Sequence, residues 1–137
     1  IEHGGDKRIE ELTPYPHPKY AGGKADAYLD FIVNTLKPKI DATYQTKTNA
    51  KNTAIMGSSL GGLVSFYAAL KYPEVFGKVG CFSPSFWFGR NEINDLLAKT
   101  KDFKTIATNN KKRKIKPNHS IKTIKKISKL FYFSYTN

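Results

Sequence analysis

The chain has 137 residues, 39% of them hydrophobic and 25% charged, with one cysteine and a formal net charge of +12. That length suits one domain with a modest core and is short for a complete doubly wound enzyme; a lone cysteine excludes an internal disulfide framework, and no run approaches the ~20 apolar residues of a membrane span. The charge is uneven, because residues 1 to 100 hold 12 Lys and Arg against 10 Asp and Glu, whereas residues 101 to 137 hold 11 against Asp102 alone. The chain therefore divides into a near-neutral domain, 1–100, and a basic tail, 101–137, which need separate explanations. It opens on Ile1, and Ile1-Glu2-His3-Gly4-Gly5 reads as a strand leaving a sheet, which predicts that sequence upstream has been lost. No charged-then-apolar leader is visible, so the compartment stays open, with the cytoplasm slightly favoured.

The first twenty residues are rich in Gly, Pro and charge, and Pro14, Pro16 and Pro18 predict an extended loop. Asp6, Arg8, Glu10 and Glu11 either form ion pairs over the sheet edge or are solvated, the commoner state in a loop. His17 lies between two prolines, which predicts a surface position. From Lys24 the apolar residues Ala25, Tyr28, Leu29, Ile32, Leu36 and Ile40 form one helical stripe. Asp26 and Asp30 suit the positive end of that helix and Lys37 and Lys39 its negative end, while Pro38 bends or interrupts its last turn. Thr43 to Lys51 is polar and reads as a surface connection.

Thr53, Ala54, Ile55 and Met56 form an uncharged run suited to a strand buried in the middle of a parallel sheet. Gly57-Ser58-Ser59-Leu60-Gly61 comes next, a G-x-S-x-G pattern, and then a helix with apolar residues at Leu60, Leu63, Val64, Tyr67 and Ala68, ended by Pro73. Strand, serine turn and helix are the order a nucleophile elbow requires: a serine on a strained turn, small neighbours, and a helix N-terminus aimed at the reaction centre. The N–H of Leu60 would then be a donor to the developing oxyanion. The plainer alternative is a glycine-rich turn in which Ser59 only caps the helix.

Val75 to Ser83 predicts a second parallel strand, joined to the first by the crossover helix. Cys81 within it is a small core residue. Ser83-Pro84-Ser85-Phe86-Trp87-Phe88 falls at its carboxyl end, on the same sheet edge as Ser59, where open α/β sheets bind ligands. Phe86 and Trp87, with Phe88, either line an acyl or aromatic pocket or plug the sheet edge. Ser83 and Ser85 lack flanking glycines and are poor nucleophile candidates. Asn91 to Lys99 reads as a short helix capped by Asn91, with Ile93, Leu96 and Leu97 buried. Beyond Lys101 the pattern fades. Asn109 to Asn118 carries Lys111-Lys112-Arg113-Lys114 and predicts an exposed, mobile segment. Ile121, Ile124, Ile127 and Leu130 could form a marginal basic helix, and Leu130 to Tyr135 could form a terminal strand. The Lys, Ile, Asn, Phe and Tyr bias matches AT-rich coding sequence under weak selection, so the tail reads as a frame-shifted or divergent end.

From about Ile1 to Phe88 the chain resembles the esterase family that includes esterase D and the enterochelin esterases, a branch of the α/β-hydrolase fold. The features that carry the resemblance are the Gly-Gly, Arg8 and Thr13-Pro14 loop, Leu36-Lys37-Pro38 with Ile40-Asp41, GSSLGG, Tyr72-Pro73-Glu74-Val75-Phe76-Gly77, and Phe82-Ser83-Pro84-Ser85-Phe86-Trp87. The resemblance implies a partial α/β-hydrolase three-layer sandwich with a mainly parallel sheet, followed by the divergent basic tail. It also implies hydrolysis of carboxylic esters or thioesters by a Ser, Asp/Glu, His triad without metal or organic cofactor, with Ser59 as nucleophile and Leu60 as an oxyanion N–H. In the family the second oxyanion donor precedes the point where this chain starts, and the acid and histidine come after later strands. His119 is the one histidine downstream of Ser59 and stands in no recognisable motif; the triad acid is unassigned.

The leading expectation is thus an incomplete serine esterase of impaired activity acting on a small-molecule ester. A catalytically inactive remnant or interaction module is the alternative. A third reading has residues 104 to 130 contacting nucleic acid or an anionic surface, against which no aromatic residue interleaves with the Lys111 to Lys116 cluster. A truncated sheet further predicts self-association through exposed strand edges.

Overall fold

Prolines forbid a helix only where they stand, and the residues ahead of Pro14 do wind. In the structure, a computed structural model that describes residue 1 and residues 4–99, a 3-10 turn at Gly5–Lys7 leads into α1, Arg8–Leu12, which buries Leu12. This corrects the extended loop expected for the opening segment. Thr13 then fastens the chain at both ends of a short hairpin: its fully buried hydroxyl donates to Ile9 O at 2.6 Å and accepts from Gly23 N at 2.9 Å. Between those anchors Pro16–His17 (β1) and Ala21–Gly22 (β2) pair in antiparallel fashion. Of the acids in this stretch, Glu10 pairs with Lys24 at 2.6 Å on the surface and Glu11 accepts from Gly4 N.

The helix expected from Lys24 forms in three pieces. α2, Ala25–Phe31, passes through a widened π-helical turn, Ile32–Leu36, into α3, Lys37–Thr43. The widened turn lies directly ahead of Pro38, which has no N–H for the carbonyl four residues back, so the chain takes a five-residue step instead, Lys37 N donating to Ile32 O. Ala25, Leu29 and Ile32 are buried, whereas Ile40, the end of the expected stripe, is 40% exposed.

β3, Ala54–Ser58, and β4, Lys78–Phe82, pair in parallel with Ile55 opposite Val79 and Gly57 opposite Cys81. α4, Leu60–Lys71, crosses between them and is buried along nearly its whole length, from Leu60 to Leu70. It packs on both strands, on α1 and on α5, Arg90–Lys99, so more than one stripe is covered and almost every residue is apolar or small. Leu63, Phe66, Phe88, Leu29 and Ile93 make the centre of the core; each contributes about 1.5–3 kcal/mol by leaving water. α5 begins at Arg90, one residue ahead of the Asn91 cap expected, with Ile93 N donating to Gly89 O.

β3 is not buried on both sides, as its apolar run suggests. Ile55 packs against the core, but Ala54, Met56 and Ser58 are exposed, together with Lys78 and Phe82 of the paired strand. Met56 is 65% and Phe82 43% exposed. The described residues thus cover one face of the sheet, that under α4, and leave the other open. No helix among them is long and apolar enough to cross a membrane. The basic tail, with His119 and the helix or strand expected near its end, lies outside the described residues.

Candidate active site

The junction between β3 and α4 is made possible by a close backbone approach. A Cβ at Gly57 would stand 2.5 Å from the carbonyl carbon and oxygen of Gly61, so only glycine fits there. Ser59, between them, has φ 56 and ψ −120, a conformation that L-residues avoid. Its side chain makes no cap hydrogen bond to the helix, which rules against the plain capping role and leaves the hydroxyl free of α4. Instead Ser59 Oγ lies 3.1 Å from Ser85 Oγ. Among the described residues no histidine or carboxylate hydrogen-bonds to it. The N–H of Leu60 opens α4, where first-turn N–H groups have no intrahelical acceptor and the helix dipole is positive. A hydroxyl and an N–H on consecutive residues can serve attack and oxyanion stabilisation together.

The turn after β4 holds Ser59 in place. Ser59 N donates to Phe82 O at 3.0 Å, and Ser59 O accepts from Ser85 N and Leu63 N, each at 3.1 Å. Ser83 in that turn also has a positive φ, 42. Pro84 seats against the first turn of α4, where a Cβ at Gly62 would lie 3.1 Å from Pro84 Cβ. Ser85, only 8% exposed, has no glycine flanks to mark it as a nucleophile, and its contact with Ser59 has no local signal in the sequence. Every buried side-chain nitrogen or oxygen among the described residues has a hydrogen-bond partner.

Phe86 and Trp87 separate. Phe86 is 6% exposed and meets Phe66 of α4 edge-on at 5.0 Å, the plug role of the two left open for it. Trp87 is 55% exposed and forms an aromatic surface with Tyr20, at 6.1 Å, and His17, at 6.2 Å. His17 is half-buried rather than on the open surface: its ring lies 5.1 Å from Phe88 and its Nδ1 accepts from Lys19 N. The hairpin that carries it is marked in the sequence only by its prolines and by Gly22-Gly23, which close the loop and both take a positive φ. Cys81, in the core as expected, is kept from acting as a thiolate, since burial pushes its thiol up to about 12.

A parallel strand, a strained serine and a crossover helix define part of an α/β-hydrolase. The same fold is present in an IroE-like serine hydrolase from Shewanella oneidensis, with a TM-score of 0.58 and 26% identity over 68% of this chain and 33% of that one. The chain belongs to the esterase family described as "Putative esterase", whose model matches residues 1–127. It is 36% identical over 89 residues to the uncharacterized protein YbbA of Bacillus subtilis, covering 61% of this chain and 36% of that protein. It is 35% identical over 83 residues to the siderophore triacetylfusarinine C esterase of Aspergillus fumigatus, covering 60% and 28%. The matched part of the chain spans between 14% and 36% of the length of the curated relatives it matches.

Proposed function

We propose that this chain carries the nucleophile of a serine esterase and that Ser59 attacks the carbonyl of a carboxylic ester or thioester. The Ser59 Oγ to carbon bond forms as the Ser59 proton passes to a general base, and the negative carbonyl oxygen is received by the Leu60 N–H. Collapse expels the alcohol or thiol with that proton and leaves an acyl-enzyme, which water cleaves to release the acid. The observation that carries this reading is the positive φ of Ser59 with its hydroxyl turned away from helix capping. His119 is the candidate base within the chain, and the triad acid is unassigned. The name of the Aspergillus relative favours a siderophore ester as the substrate class, and the exposed ring of Trp87 two residues beyond Ser85 offers a surface against which such a molecule can lie.

Treatment of the folded chain with a fluorophosphonate tests this. Stoichiometric labelling at Ser59 and p-nitrophenyl acetate turnover, both lost in Ser59→Ala, are expected. A folded chain that takes no label would overturn the serine reading. A second reading, an interaction module that keeps the fold without the reaction, is favoured by the open sheet face bearing Met56 and Phe82. It predicts that the chain pairs through this sheet, and it fails if sedimentation shows a monomer at concentrations up to ~100 μM, where a specific interface of standard size would be occupied.

A further inference from the structure

The geometry points to Ser85 as a positioning residue for Ser59, one whose hydroxyl donates to Ser59 Oγ during attack; this rests on the reading of Ser59 as nucleophile. Two independent contacts join the pair. Ser85 N donates to Ser59 O at 3.1 Å, so the main chains are tied, and the two hydroxyl oxygens lie 3.1 Å apart. Ser85 is 8% exposed and its carbonyl accepts from Phe88 N at 3.0 Å, which fixes the turn from its other side. Two hydroxyls can share a hydrogen bond in either direction. With Ser59 as donor, its proton is aimed at Ser85 and withheld from any base. Once a base takes up the Ser59 proton, Ser85 must donate. In that arrangement the bond strengthens as negative charge grows on Ser59 Oγ and weakens again when that oxygen becomes an ester, so it favours the step over its ground state. The buried position also keeps water from competing for the same lone pair.

The test measures inactivation of the full chain by a fluorophosphonate, resolving the maximal rate, kinact, from the apparent affinity, KI. Ser85→Ala is expected to lower kinact about tenfold, the equivalent of one hydrogen bond of ordinary net strength, with KI unchanged. Ser85→Thr, which keeps the hydroxyl, is expected to recover most of the loss. If Ser85→Ala does not fold, Ser85→Cys, of similar shape and a weaker donor, takes its place, with a reduced kinact expected. An unchanged kinact in a folded Ala or Cys variant overturns the role of Ser85 and leaves Ser59 as nucleophile. Equal losses in Ala and Thr variants assign the effect to packing and also overturn it. Absence of label in the parent chain overturns the esterase reading, and the role of Ser85 falls with it.

Discussion

Two turns leave this sheet at the same edge, and each carries a serine with a left-handed backbone, φ 56 at Ser59 and φ 42 at Ser83. They are specified by different means. The Ser59 turn is written locally: Gly57 permits Gly61 to come within a distance that any side chain would block, and the helix starts at once. The Ser83 turn has no glycine within it. It is held by Pro84 against Gly62 and by Ser85 N on Ser59 O, which are contacts to the first turn. The strained backbone at Ser59 is thus built from two segments, one that can adopt the conformation and another that keeps it there.

The sharpest way to break this contrast is Gly57→Ala. The added Cβ meets backbone, which cannot swing aside as a flexible side chain would, so a loss of about 3 kcal/mol in unfolding free energy is expected from urea titration. A loss under ~1 kcal/mol, the range of ordinary substitutions, would mean that the elbow does not depend on this approach.

Glycine at the strained serines gives a smaller effect of the opposite sign. Ser59→Gly is expected to raise stability by about 1 kcal/mol, the relief of a conformation suited to glycine less the entropy that glycine loses on folding. Ser83→Gly should gain less, under ~0.5 kcal/mol, because the relief at its φ of 42 is largely offset by the entropy that glycine loses on folding. Ser59→Ala keeps the strain and is expected to show no such gain. Equal gains at Ser59 and Ser83 would remove the distinction between the two turns.

The same contrast explains what is legible in the sequence. The β3, Ser59, α4 unit can be read because its determinants are consecutive: an apolar run, flanking glycines and an apolar helix. Ser85 cannot, because its importance depends on a pairing between residues 26 positions apart that no local pattern encodes. α1 is masked because three downstream prolines outweigh the helix-compatible Arg8-Ile9-Glu10-Glu11-Leu12. The apolar run of β3 suggests burial on both sides because such a run does not say how many of its faces are covered; Met56 and Phe82 stand on the open one. Pro38 marks a disturbance in the sequence, but its form, a widened turn ahead of it, depends on how the backbone accommodates a missing donor.

The smallest expected effect lies at the far end of α4 and bounds the contrast to the sheet edge. There Lys71 pairs with Asp26 at 2.7 Å and Tyr67 donates to the same carboxylate at 2.8 Å, joining α4 to α2. Partial burial pushes the Asp26 carboxyl upward, but the hydrogen bonds from Lys71 and Tyr67 outweigh it and hold it below its ordinary 3.8. A carboxyl lowered on folding adds stability above its unfolded value, and that stability is lost as pH falls through the folded one. The Asp26 side chain is 60% exposed, so solvent screening limits the contribution to under ~0.5 kcal/mol. Asp26→Asn should therefore flatten the stability profile below about pH 4, measured by urea unfolding at stepped pH, and leave the rate of Ser59 labelling at neutral pH unchanged. An unaltered acid profile would assign the acid sensitivity to other carboxylates. A slower Ser59 would mean that the elbow depends on the whole length of α4, and the two-turn account would have to include the anchor at Asp26.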